Sequence, residues 1–123
     1  MISNIKDKRR KRIQRRRRIR RKLIGTPERP RLSVFRSAKH TYAQVIDDQS
    51  GRVLVAASTM DKEIRDSIKK ANKSEAAEKV GEVLAQRCAK KEVKKVVFDR
   101  NGFTFHGRLA KLAHGAREKG LSF

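Results

Sequence analysis

Residues 1 to 24 carry 13 basic residues against a single acidic one, and that stretch limits what the rest of the chain can be. Lys8-Arg9-Arg10-Lys11-Arg12, Arg15-Arg16-Arg17-Arg18 and Arg20-Arg21-Lys22 are interspersed with only Ile13, Ile19 and Leu23 as apolar residues, so no core can be built there. Arginine favours helix, but Arg12/Arg16, Arg16/Arg20 and Arg17/Arg21 are like charges four apart, which repel on a helix surface. The expectation is an arm, residues 1–24, that is disordered when free and orders as helix when a polyanion removes the repulsion. The core must then come from residues beyond the arm. With 123 residues, 37% of them hydrophobic, there is material for one small core and not for two.

Gly25-Thr26-Pro27-Glu28-Arg29-Pro30 reads as a hinge, because two prolines and a glycine suit no helix interior. The globular part, residues 31–123, opens with Arg31-Leu32-Ser33-Val34-Phe35-Arg36 and Thr41-Tyr42-Ala43-Gln44-Val45-Ile46, two segments rich enough in β-branched and aromatic residues for strands. A turn at Asp47-Asp48-Gln49-Ser50-Gly51 leads to a third strand, Arg52 to Ala57, giving three antiparallel strands joined by hairpins. Asn72 and Glu75 have capping-box spacing, and Ala76, Ala77, Val80, Val83, Leu84 and Cys88 then recur at helical steps. Val93 to Phe98 reads as a fourth strand, made parallel to its neighbour by the helical crossover. A last helix, Arg108 to Lys119, buries Leu109, Leu112, Ala113 and Ala116 and stops at Gly120. Met60 to Ala71 is ambiguous, with a short helix as one reading. The fold class is α/β, a mixed sheet of about four strands with two packed helices.

The chemistry of catalysis finds little foothold. Cys88 is the lone cysteine and falls on the apolar stripe of its helix, where it reads as a core filler. His40, His106 and His114 have no adjacent nucleophile and no metal-ligand spacing, so neither a catalytic site nor a cofactor or metal is expected. Three carboxylates at strand ends, Asp47, Asp48 and Asp99, are what a metal-dependent nucleic-acid processing enzyme would need, and they define the alternative reading; the first two fit a turn better. The longest apolar run, Val53 to Ala57, is far short of a membrane span, and neither a membrane nor a small-molecule substrate is an expected partner. An arginine-rich start resembles an organelle transit segment, but those are also rich in serine and only Ser3 occurs here. A cytosolic setting is the default expectation.

The formal net charge of +21 points to a polyanion. Neutralising phosphates with Lys and Arg releases condensed counterions, and the planar guanidinium adds bidentate donors and stacking, which favours structured nucleic acid. A non-specific basic packager is the bland version of this reading. In the body, Arg36, Lys39 and His40 surround the first strand connection, with Phe35 and Tyr42 in the flanking strands. Aromatic rings beside cations can stack unpaired bases, although strand alternation assigns Phe35 to the core. The segment Phe98 to Arg108 joins the fourth strand to the last helix, and Arg100, His106 and Arg108 are its candidate phosphate contacts. In the alternative, Asp99 pairs with Arg100 or caps the loop while Phe103 and Phe105 close the end of the sheet.

Several motifs, in order, resemble the bacterial large-subunit ribosomal protein eighteen family, a 5S rRNA-binding family. They are the basic arm, Arg31 to Ser37, Lys39-His40, Tyr42 to Asp48, Val55 to Thr59, Phe98-Asp99-Arg100, His106-Gly107-Arg108, and the closing Gly115 to Phe123. The resemblance implies a ribonuclease-H-like sheet ordered three, two, one, four, without nuclease carboxylates and without a reaction. It implies a ribosomal location, bacterial or organelle-type, in the central protuberance. The implied partners are 5S rRNA, 23S rRNA and the neighbouring 5S-binding ribosomal protein five. Carried over by position, the RNA contacts are Arg9, Arg10, Lys11, Arg12, Arg15, Arg16, Arg17, Arg18, Arg20, Arg21 and Lys22 in the arm. In the body they are Arg31, Arg36, Ser37, His40, Tyr42, Gln44, Arg100, His106 and Arg108. Phe105 stands where members of the family often carry Tyr, so a hydroxyl is missing there.

Overall fold

The computed structural model describes residues 3–22 and 24–123, the side chains of residues 3–6 and 19–22 excepted. The arm is helix α1 (Ser3–Lys22), and the body runs β1 (Arg31–Arg36), β2 (Thr41–Asp47), β3 (Arg52–Ser58), α2 (Lys62–Ser67), α3 (Lys73–Lys90), β4 (Val97–Asp99) and α4 (Arg108–Glu118). The sheet order is β3-β2-β1-β4. β1 and β2 pair antiparallel, as do β2 and β3, while β1 and β4 run parallel, so the crossover through α3 makes the sheet mixed as the sequence predicts.

Period-two alternation assigns the two faces of the sheet. Leu32, Val34, Ala43, Val45, Val55 and Ala57 are buried and point to one side. α3 and α4 cover that side with Ala77, Val80, Leu84 and Cys88, and with Leu109, Leu112 and Ala116, all fully enclosed. Each large apolar side chain withdrawn in this way contributes roughly 1.5–3 kcal/mol before the entropy of ordering is counted. The two helices come together at Gly81 and Gly115: a Cβ on Gly81 would strike the Leu112 carbonyl, and one on Gly115 the Glu78 carbonyl. Among the described residues, neither α3 nor α4 covers the other face of the sheet.

The capping prediction holds at atomic detail, with Asn72 Oδ1 accepting from the Glu75 amide at 2.8 Å and Asn72 Nδ2 donating to the Glu75 carboxylate at 3.2 Å. β4 is shorter than its apolar run suggested. The Val96 amide donates to the Ser122 carbonyl and the Ser122 amide to the Lys94 carbonyl, so the chain ahead of β4 pairs with the C-terminal tail and only Val97–Asp99 reach β1. Met60 to Ala71 contains α2, which buries Ile64. Gly25 to Pro30 is a held turn: the Gly25 amide donates to Asp48 Oδ2 at 2.7 Å, and the Thr26 amide donates to the Arg29 carbonyl.

Candidate nucleic-acid interface

The uncovered face of the sheet gathers several of the residues singled out from the sequence. Ser33, Phe35, Ser37, Tyr42 and Gln44 line a shallow hollow of about 360 Å³. Phe35 is 40% exposed, which corrects its assignment to the core: alternation places residues 31, 33 and 35 opposite Leu32 and Val34, away from α3 and α4. Its ring lies 6.1 Å from Tyr42 and 5.6 Å from Phe103, and Tyr42 lies 6.3 Å from His40. Four rings therefore succeed one another across the face, tilted or edge-on to each other.

The β1–β2 connection closes on itself. The Ser37 amide donates to the His40 carbonyl at 2.8 Å and the His40 amide to Ser37 Oγ at 3.1 Å, while His40 Nδ1 lies 2.9 Å from Thr59 Oγ1. Arg108, the first residue of α4, donates from Nη1 to the Ser37 carbonyl at 2.9 Å. Burial and the nearby Arg36 charge both hold Arg108 below the usual arginine pKa. In the loop after β4, Arg100 Nη1 donates to the Phe103 carbonyl at 2.6 Å, and Asp99 Oδ1 accepts from the Asn101 amide at 2.8 Å. His106 is exposed on the outside of this loop. Phe105 packs edge-on against Phe98, which in turn stacks on Phe123, so Phe105 is placed by apolar contact.

Arg31 is an internal ion-pair residue of the body. It is 8% exposed, and its Nε and Nη2 donate to Asp48 at 3.0 and 3.1 Å while its Nη1 donates to Asp99 at 3.0 Å. Burial alone would lower its pKa, but the bonds and charges of Asp48 and Asp99 outweigh that and raise it. Its donors turn inward onto two acids, which ties β1 to the turn after β2 and to the end of β4. The same contacts overturn the metal-enzyme alternative. Asp48 and Asp99 hold a guanidinium, and Asp47 spends its carboxylate on the Gln49 amide and the Ser50 hydroxyl, both at 3.0 Å. Cys88 is fully enclosed, and burial pushes its thiol up to about 11.

α1 lies against the loop after β4. Arg15 Nε donates to the Gly102 carbonyl at 2.9 Å, and the Arg12 guanidinium sits 4.5 Å from the centre of the Phe103 ring. Arg36 reaches the same ring from β1, at 5.1 Å. Phe103 thus carries two cations, a role invisible in the sequence, where it reads as a ring closing the end of the sheet. Gly102 is the one available signal: its φ is +81°, and a Cβ there would strike the Arg12 carbonyl. Arg9, Arg10, Lys11, Arg17 and Arg18 are exposed, and Arg12, Arg15 and Arg16 are half-buried. The side chains of Arg20, Arg21 and Lys22 lie outside the described residues.

Fold and site together define a small α/β scaffold with a helix layer on one side of its sheet and cations and rings on the other, with no catalytic constellation among the described residues. Residues 6–123 match the family described as ribosomal L18 of archaea, bacteria, mitochondria and chloroplasts. The large ribosomal subunit protein uL18 of Kosmotoga olearia is 55% identical over 121 residues, covering 97% of this chain and 99% of the relative. Its counterpart in Sorangium cellulosum is 58% identical, covering 91% and 94%, and that of Geotalea uraniireducens 51%, covering 99% and 100%. The chain belongs to the ribosomal L18 family. It is a structural protein of the large ribosomal subunit and not an enzyme.

Proposed function

We propose that this protein binds 5S rRNA and helps to attach it to 23S rRNA in the central protuberance, beside ribosomal protein five. The observation that carries the reading is the contrast between the two sides of the sheet. One side is sealed by α3 and α4, while the other presents exposed Phe35 and Gln44 with half-buried Tyr42 and Ser37; Arg36 lies over the neighbouring Phe103 ring, and Arg108 bonds the Ser37 carbonyl at the edge. Exposed rings give unstacked bases a surface to lie on, and guanidinium groups hold the backbone beside them. The body contacts are Arg36, Ser37, His40, Tyr42, Gln44, Arg100, His106 and Arg108. The arm, residues 1–24, supplies sequence-independent affinity by counterion release and reaches a second RNA surface.

Equilibrium binding of labelled 5S rRNA in competition with bulk transfer RNA tests the specific part. The reading requires a preference for 5S rRNA of at least roughly tenfold at physiological salt. Equal competition would leave only a basic packager.

A further inference from the structure

Where α1 crosses the loop after β4, Lys8, Lys11, Arg12, Arg15, Arg36, Phe103 and Thr104 enclose a cleft of about 240 Å³. Five of these seven side chains are cations, and no acid lines the cleft. The arrangement is costly as it stands. Arg12 Nη1 is buried without a hydrogen-bond partner, and a guanidinium N–H in that position forfeits a charge-assisted bond. Burial first, and then the charges of Arg16, Arg15, Arg36 and Arg9, depress the Arg12 pKa. Stacking on Phe103 offsets part of this, since cation–π contact is worth about 0.5–2 kcal/mol, but it satisfies no N–H. The cleft is also built for close approach, because Gly102 is the residue that lets the α1 backbone reach the loop.

We propose that this cleft binds one RNA backbone phosphate between Arg12 of the arm and Arg36 of the sheet, and that this phosphate fixes the angle of α1 to the body. The inference rests on the RNA-binding reading above and adds a site to it. A phosphate in the cleft offers the Arg12 guanidinium an acceptor that the chain does not, its charge offsets the Arg12–Arg36 repulsion, and Thr104 lines the same cleft. One nucleotide then belongs to both the arm and the sheet face, so the two RNA surfaces are held in a set orientation.

The test uses the full chain with labelled arginine side chains and reads the Nε–Hε resonances by NMR. Inorganic phosphate and a single-stranded hexauridylate are titrated separately, against sodium chloride at matched ionic strength. Arg12 and Arg36 should shift saturably with both probes, and the hexamer should saturate at lower concentration. Arg17 and Arg18, exposed on the same helix, should track ionic strength alone in the inorganic phosphate titration. Arg36→Gln should weaken saturation at Arg12 by at least about fivefold, as expected for loss of one charge-assisted contact. Arg12 behaving like Arg17 and Arg18 toward inorganic phosphate, or unchanged saturation in R36Q, would overturn the site. Tighter binding of inorganic phosphate than of the hexamer would overturn its assignment to RNA backbone. Specific 5S rRNA binding is measured in the competition with transfer RNA, so loss of the cleft and loss of the RNA reading give separate results.

Discussion

Arg31 and Arg36 begin and finish the same strand, β1, and meet opposite fates. Arg31 is enclosed and ion-paired with Asp48 and Asp99, whereas Arg36 has Phe103, Arg12 and Arg108 as neighbours and no acid in its cleft. A buried cation whose charge is answered within the chain is part of the fold. One whose charge is left unanswered, beside other cations, is suited to an anion from outside. Residue type does not separate the two, and alternation alone would put Arg31 on the Phe35 face; the acids that fold back onto β1 decide.

The largest expected effect comes from removing the unanswered side altogether. Deleting residues 1–24 should leave the body folded and lower affinity for 5S rRNA by at least about a thousandfold at low salt, flattening the plot of log affinity against log salt. An unchanged slope would remove the arm from the interface. On the answered side, Asp99→Ala leaves Arg31 short of a partner in a fully buried site and should cost about 3 kcal/mol in urea unfolding, with 5S rRNA affinity per folded molecule little changed. A loss below about 1 kcal/mol would mean that the ion pair is not integral to the fold.

Between these lies a pH effect that neither arginine supplies. The Cys88 thiol is held at about 11 when folded against 9.0 in its ordinary state, so its contribution is complete below pH 9 and is lost as pH rises from 9 to 11. Unfolding free energy should fall over that window by up to about 2–3 kcal/mol, and the fall should be smaller in Cys88→Ala. Arg31, whose pKa is raised by Asp48 and Asp99, plays no part in that window. Arg87 is the half-exposed counterpart of Arg31, donating to the Ala56 carbonyl, Asp61 and Glu63 and so tying α3 to β3 and α2. Arg87→Ala should cost only about 1 kcal/mol in the same unfolding assay, because solvent screens those pairs.

Much of the fold was legible because its signals are local. β1, β2, β3, the Asn72 cap, the apolar stripes of α3 and α4 and the parallel crossover all come from alternation, helical spacing and chain order. β4 was overextended because an apolar run says nothing about which partner takes it, and Ser122 claims the residues ahead of Val97. The site was legible as a set of residue types and not as a geometry. Phe35 looked like core because alternation names two faces without saying which one the helices cover. Arg31 looked like Arg36 because its acids lie 17 and 68 residues away in sequence. Phe103 gave no hint of its two cations, which come from α1 and β1.

Chemical footprinting of 5S rRNA, with wild-type chain and with Arg36→Ala, is the most direct test that the unanswered face recognises a particular RNA. The account predicts a discrete protected patch with the wild type, part of which is lost in R36A while the fold is intact. Diffuse protection along the RNA, or an identical pattern with both proteins, would contradict it.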